Sequence, residues 1–416
     1  MTNAASTVEV VPDTPGVTDV PGFRAVGVAA DIRQQGARKR LDVAVVYSER
    51  PCEAAGVFTT NDFKAAPVRL CQEYLAGGLL VRAIVANSGN ANACTGPQGL
   101  ADAEAMAQMV ATELGLMPQE VLVASTGRIG RALPMAAVVQ GTQSACTAIR
   151  EQQDRAQGGR DAAEAILTSD TRSKTVTARF SVEGQTVTLA GMAKGAGMIE
   201  PNMATMLGFL TTDAGASSDL LHHVLRTAVK GTFNACTVDG DCSTNDTVLL
   251  LANGASGVTI SHDNPAAMAA FQEAVTAVCR VLAEKIVGDG ERITKVVRLQ
   301  IEGAADDEAA EKVARKVGNS LLVKTSWFGS DPNWGRIAHA IGAARVGVDV
   351  GQLDLFYDDV PVVVAGHAVD DNLPQWREIV ARKHFGIRAN LHQGSGTFTL
   401  LSTDLSTGYV DFNKSE

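Results

Sequence analysis

Large aromatic side chains are scarce in this chain: they make up 5% of its 416 residues, so rings cannot dominate the interior. Close backbone packing takes their place, and 40 glycines permit it. A basic stripe is also missing. The formal net charge is −10 and no Lys/Arg cluster follows one face, which argues against nucleic acid as a partner. No CxxC spacing occurs among Cys52, Cys71, Cys94, Cys146, Cys236, Cys242 and Cys279. Neither a zinc knuckle nor a redox pair is indicated, and free thiols in a reducing compartment are expected. Cys94 and Cys242 sit in polar, Gly-containing surroundings, but no His lies near either in sequence. The N-terminus lacks a basic start followed by an apolar core, and no Arg precedes Arg24. Secretory and mitochondrial signals are therefore not expected. No apolar run approaches the length of a membrane span, so the expectation is a cytoplasmic protein without a membrane partner.

What is present alternates in a regular grammar. Residues 1–22 read as a flexible lead. Short β-type runs follow at Leu41–Tyr47 and Ala55–Thr59. Leu79–Ala86 reads as a buried strand that stops at the turn-forming cluster from Asn87 to Gly96. Ala101–Leu114 carries apolar positions at helical spacing, and the strand Val121–Ala124 runs into Ser125-Thr126-Gly127. Further strands are expected at Met206–Leu210 and Val248–Leu251, with helices at Leu220–Thr232, capped by Ser217 or Ser218, and Pro265–Val287. Apolar strand, polar loop, then helix is α/β organisation. A second unit begins near Glu291, with strands at Lys295–Glu302, Val360–Ala365 and Thr397–Leu401 and helices at Asp306–Val317 and Ile337–Ala344. The expected domains are thus 23–290 and 291–416. The acidic loop Asp239–Asp246 lacks the Glu that closes a calcium loop, so no metal is expected there.

The most informative segment runs from Lys194 to Leu207. It holds Gly195, Gly197 and Pro201, then meets the mostly apolar run from Met206 to Leu210. It reads as a shaped loop entering a buried strand. Local pattern alone favours a plain turn, with Lys194 as a solvated loop lysine.

The neighbouring loops change that reading. Ala55–Asn61, Asn87–Ala93, Ser125–Gly130, Thr168–Thr171, Lys194–Thr205, Thr237–Asp241, Gly288–Glu291 and Asp331–Arg336 occur in this order. Together they resemble the ornithine acetyltransferase family, from about Gly22 to Asn413. The resemblance implies an α/β fold of layered sheets between helices, like that of self-processing aminopeptidases, with a second, smaller α/β domain. It implies glutamate N-acetyltransferase activity in arginine biosynthesis, with N-acetylornithine as donor. It also implies self-cleavage between Ala204 and Thr205. Thr205 then begins a second chain, whose α-amine, with a pKa of roughly 7.7–8.0, serves as the base for its own hydroxyl. Acetyl transfer is ping-pong through an acetyl-Thr205 ester. Thr126 and Gly127 are the implied oxyanion donors. Thr168, Lys194, Thr205, Glu291 and Asn413 are the implied substrate contacts. Lys194 suits an α-carboxylate, and Glu291 suits an amine. No cofactor is implied. Two fragments of one precursor, two copies of each, form the implied assembly.

Three departures from the family pattern stand out. Arg128 follows Thr126-Gly127 where a small or apolar residue is usual. Cys242 replaces a common threonine. The chain ends Asn413-Lys414-Ser415-Glu416 where the family tends to end in a threonine. Alternatives therefore stay open: use of acetyl-CoA as a further donor, a paralogue acting in specialised metabolism, or a self-processing amidohydrolase or aminopeptidase of the same fold.

Overall fold

The computed structural model describes residues 8–36, 40–200 and 206–414. The described chain forms two compact units. The second comprises Ala196–Glu200, Ala235–Asp241 and the chain from Val287 onward, and the rest forms the first. Two short segments of the second unit thus interrupt the first, which a single boundary at Glu291 does not anticipate.

The first unit contains nine strands among its described residues: β1 (Glu9–Pro12), β2 (Phe23–Val28), β3 (Val43–Phe58), β4 (Val81–Asn90), β5 (Val121–Arg128), β6 (Lys174–Val182), β7 (Gln185–Lys194), β8 (Leu207–Thr212) and β9 (Thr247–Ala252). They follow the order β1-β6-β7-β8-β9-β3-β4-β5, with β2 also on β3. The two runs expected at 41–47 and 55–59 are one long strand. Its first part, Val43–Tyr47, pairs with β4, its last part, Glu53–Phe58, pairs with β9, and the register shifts in between. That shift lets the two halves of the sheet face each other.

One core gathers Ala44, Val46, Ile84 and Leu122 from one half with Met192, Leu207, Phe209 and Leu249 from the other. The alternate residues Val43, Val45, Val85 and Val123 point the opposite way and pack with Met106, Val110 and Ile149. Those three belong to the helices Gly96–Leu114 and Met135–Glu151. On the other half, Gly191 of β7 faces Val278 and Leu282 of the helix Pro265–Val287. The order is therefore helix, sheet, sheet, helix. Parallel pairing of β4 with β5 and of β8 with β9 requires crossovers. The helices Gly96–Leu114 and Ser218–Lys230 supply them, the latter capped by Ser217.

Three expectations need correction. From Glu9 onward the lead is not loose: β1 pairs with β6, and Val17 and Val20 are fully buried. Asn87–Asn90 continue β4 and Ser125–Arg128 continue β5, because each supplies the other's ladder partners. The helix Pro265–Val287 is long and apolar enough to cross a membrane by length and composition. Its Phe271, Val275, Val278 and Leu282 are nevertheless fully buried within the protein.

The second unit holds β10 (Val296–Ala304), β11 (Asp354–Tyr357), β12 (Val360–Val364), β13 (His367–Ala368), β14 (His384–Asn390) and β15 (Gly396–Thr403), in the order β13-β12-β11-β14-β10-β15. Here aromatics do fill the core: Trp327, Tyr357 and Trp376 are buried together.

The helix Pro265–Val287 tests the layering. Phe271 packs against Phe180 of β6 with ring centroids 6.3 Å apart. Phe271→Ala is expected to cost about 3–5 kcal/mol in urea unfolding, as for a buried ring replaced by a cavity. A change below about 1 kcal/mol contradicts the placement, being in the range of an exposed site.

Candidate active site

The described site residues expected in the first unit gather where β4, β5 and β7 end and β8 and β9 begin. Thr126 and Lys194 come together. The ammonium of Lys194, on the last residue of β7, donates to the Thr126 hydroxyl oxygen at 3.2 Å. Both residues are only 2% exposed, so Lys194 is not a solvated loop lysine. Gly127 brings two backbones into contact. A Cβ there would lie 2.3 Å from the carbonyl carbon of Gly89 and 2.5 Å from the nitrogen of Asn90. Its φ of +135° is likewise a glycine conformation. The corner is laced by side chains: Ser125 donates to Asn87 at 2.6 Å, and the Asn245 amide donates to the carbonyls of Ala91 and Ser125.

Thr168 joins this corner through a residue to which the sequence reading gave no role. Asp170 accepts the Thr168 backbone N–H at 3.0 Å and the Gly195 N–H at 2.7 Å. It also accepts the Lys174 ammonium at 2.6 Å, with both side chains fully buried. Burial alone would raise the Asp170 pKa. Lys194 and then Lys174 outweigh it and hold the carboxyl well below the usual carboxylate range. One ionised carboxylate thus fixes Thr168 and the residue that follows Lys194. The signal in sequence was the Thr168-Ser169-Asp170-Thr171 block itself.

Ala204 and Thr205 lie outside the described residues. Met206, bonded to Thr205, is described, and its N–H donates to Asp246 at 2.9 Å. Asp246 is fully buried, and its second oxygen has no hydrogen-bond partner among the described residues. Burial raises its pKa well above the ordinary value, against the opposing pull of the Met206 N–H and of Lys194. In sequence Asp246 closes the acidic loop from Asp239, and no local pattern marks it.

Glu291 and Asn413 lie in the second unit and meet there. The Asn413 amide donates to the Glu291 carboxylate at 3.0 Å. Gly197, in the same unit, allows this: a Cβ would lie 2.4 Å from the Glu291 carboxyl carbon. Asp239 holds the segment around it by accepting the N–H groups of Met198 and Ile199 at 2.6 and 2.7 Å. Among the described residues no group of three His, Cys, Asp or Glu is placed to hold a metal ion.

A family model described as the ArgJ family matches residues 24–415. The chain belongs to the ArgJ family. The arginine biosynthesis bifunctional protein ArgJ of Symbiobacterium thermophilum is 46% identical, over 96% of this chain and 98% of that protein. Its namesake from Dehalococcoides mccartyi is 41% identical over 98% of each. Among solved structures, an ornithine acetyltransferase complexed with ornithine from Mycobacterium tuberculosis is 40% identical. It covers 47% of this chain and 98% of that one, with a TM-score of 0.42. ArgJ membership agrees with the α/β class and with the resemblance read from the ordered loops.

The buried Asp246 makes a pH prediction. An acid whose pKa is raised on folding keeps a proton that the unfolded chain has lost, so stability falls as pH rises above the ordinary value of 3.8. Asp246→Asn keeps an oxygen for the Met206 N–H and removes the titration. The variant is expected to flatten the fall in urea midpoint as pH rises above 3.8. An unchanged slope contradicts a neutral Asp246.

Proposed function

We propose that this ArgJ-family chain is a self-processing acetyltransferase of arginine biosynthesis. It moves acetyl from N-acetylornithine to glutamate through an ester on Thr205. Cleavage between Ala204 and Thr205 frees the α-amine that takes the proton of the Thr205 hydroxyl. The hydroxyl oxygen then attacks the acetyl carbonyl, and the oxyanion is met by Thr126 and Gly127. Ornithine leaves with a proton. The glutamate amine attacks the ester in turn and releases Thr205 as a hydroxyl. Lys194 and Thr168 hold the α-carboxylate end of either substrate, while Glu291 and Asn413 recognise an amine.

The observation that carries this reading is the buried contact of Lys194 with Thr126, in a corner whose next strand opens two residues after Thr205. The near-full-length similarity to proteins named for arginine biosynthesis supports the pathway. Their description as bifunctional supports acetyl-CoA as a second donor. No cofactor enters the scheme. The two fragments stay associated in our reading, because the cut precedes the buried strand β8, and two copies of each make the assembly. We place the enzyme in the cytoplasm.

Denaturing mass spectrometry tests the reading. Wild type is expected as two fragments meeting at Ala204/Thr205. After incubation with N-acetylornithine, the fragment that begins with Thr205 gains one acetyl group. Thr205→Ala stays a single unacetylated chain. An intact wild type, or acetyl on another residue, overturns the mechanism.

A further inference from the structure

Beside the Thr126-Gly127 corner lies a small cavity of about 70 Å³ within the first unit. Its walls include Arg33, Arg128 and Arg131, together with Gly89 and Asn90 from the end of β4, and no carboxylate among the described residues lines it. Arg128 and Arg131 are exposed, and neither guanidinium has a hydrogen bond or ion pair among the described residues. Their backbone is nonetheless pinned. Asn90 donates to the carbonyls of Arg131 and Ala132 at 3.2 and 3.0 Å, and the Arg128 carbonyl accepts the Ala91 N–H at 2.9 Å. Arg33 lies flat on Gly89, where a Cβ would meet its Cγ at 2.7 Å. Its guanidinium reaches the Thr168 carbonyl at 3.5 Å, and Arg40 reaches the same oxygen at 2.8 Å. Asp170, Asp42 and Glu164 are the acids that face Arg40, and none of them lines the cavity. The helix Met135–Glu151 begins at Pro134, on the cavity wall, and adds the positive end of its dipole.

Three arginines around one cavity, with no acid among its described lining residues, favour an anion. Its place narrows the ligand. Gly89 pairs with Gly127 across adjacent strands, so the cavity opens roughly one strand spacing, about 4.8 Å, from the oxyanion corner. That suits the far end of a small amino acid whose amine sits at the corner. The two substrates of the proposed reaction differ in that far end: ornithine carries an ammonium, glutamate a carboxylate. A site that serves both in turn needs separate charges for them.

We infer that the Arg33–Arg128–Arg131 cavity is the subsite for the side-chain carboxylate of the acceptor amino acid, an assignment that rests on the acetyl-transfer reading above. It attracts glutamate and repels the ammonium of ornithine, so it favours exchange of one for the other after the acetyl group has been transferred to Thr205. Arg128, which departs from the family pattern, is part of it.

The test compares wild type with the Arg128→Ala/Arg131→Ala variant, both arginines being exposed. Glutarate binding is read by calorimetry, with butyrate as the control that lacks the second carboxylate. KM is then read for glutamate, with N-acetylornithine as donor, and for acetyl-CoA. Loss of two charged contacts is expected to weaken glutarate binding and raise the glutamate KM by roughly tenfold or more, leaving butyrate binding unchanged. Unchanged glutarate binding and glutamate KM overturn the assignment. A rise confined to the acetyl-CoA KM also overturns it and gives the cavity to a phosphate. If wild type releases no ornithine, the acetyl-transfer reading fails. Arginine-dependent glutarate binding then still supports an anion subsite, and its absence sinks that too.

Discussion

Asp170 is the charge on which the site depends. Its carboxylate is buried with Lys174 and under the field of Lys194, and it accepts two backbone N–H groups besides. Desolvation makes such a group expensive unless every partner is in place. That expense fixes geometry. Thr168 and Gly195, far apart in sequence, are held by the two oxygens of one side chain. Lys194, the neighbour of Gly195, is thereby set against Thr126. Removing the carboxylate takes from both lysines the acid they share.

The same device recurs at smaller scale. Asp239 holds Met198 and Ile199 by their N–H groups, and Asp246 holds Met206 by its own. The chain on either side of residues 201–205 is thus gripped by carboxyls, and the carboxyls of the first unit differ in state. Asp170 is kept ionised by two lysines, while burial drives Asp246 toward the neutral form. In the proposed reaction this segment presents a scissile bond and, later, a nucleophile, and that needs fixed ends. Carboxyls accepting backbone N–H groups provide them without regard to the side chains presented.

Much of the architecture was legible because apolar spacing and caps agree. Ser217 caps the helix Ser218–Lys230 and Asp306 caps Asp307–Gly318, each by accepting an N–H of the first turn. Pro265–Val287 matches the expected helix end for end. The hairpin of β6 and β7 was missed. Its two-residue turn is Glu183-Gly184, both at positive φ, and Glu is a poor signal for that conformation. Asn87–Asn90 read as turn formers because Asn, Ser and Gly favour local bonds. In the fold, Ser125 and Asn245 supply longer-range partners to that corner and the strand continues. Of the site, single blocks were mute and the ordered set was not. Asp170 escaped notice because its Gly195 contact spans 25 residues, which no local pattern encodes.

A double-mutant cycle on unfolding free energy, between Asp170→Asn and Lys174→Met, bears most directly on the buried charge as organiser. Asp170→Asn takes the shared carboxylate from Lys174 and Lys194, and Lys174→Met takes one of the two cations from Asp170. Each is predicted to cost about 3–5 kcal/mol, while the pair together costs less than the sum by more than about 1 kcal/mol. Single changes that each cost under about 1 kcal/mol and add to within about 0.5 kcal/mol would contradict it, since that is how independent exposed sites behave.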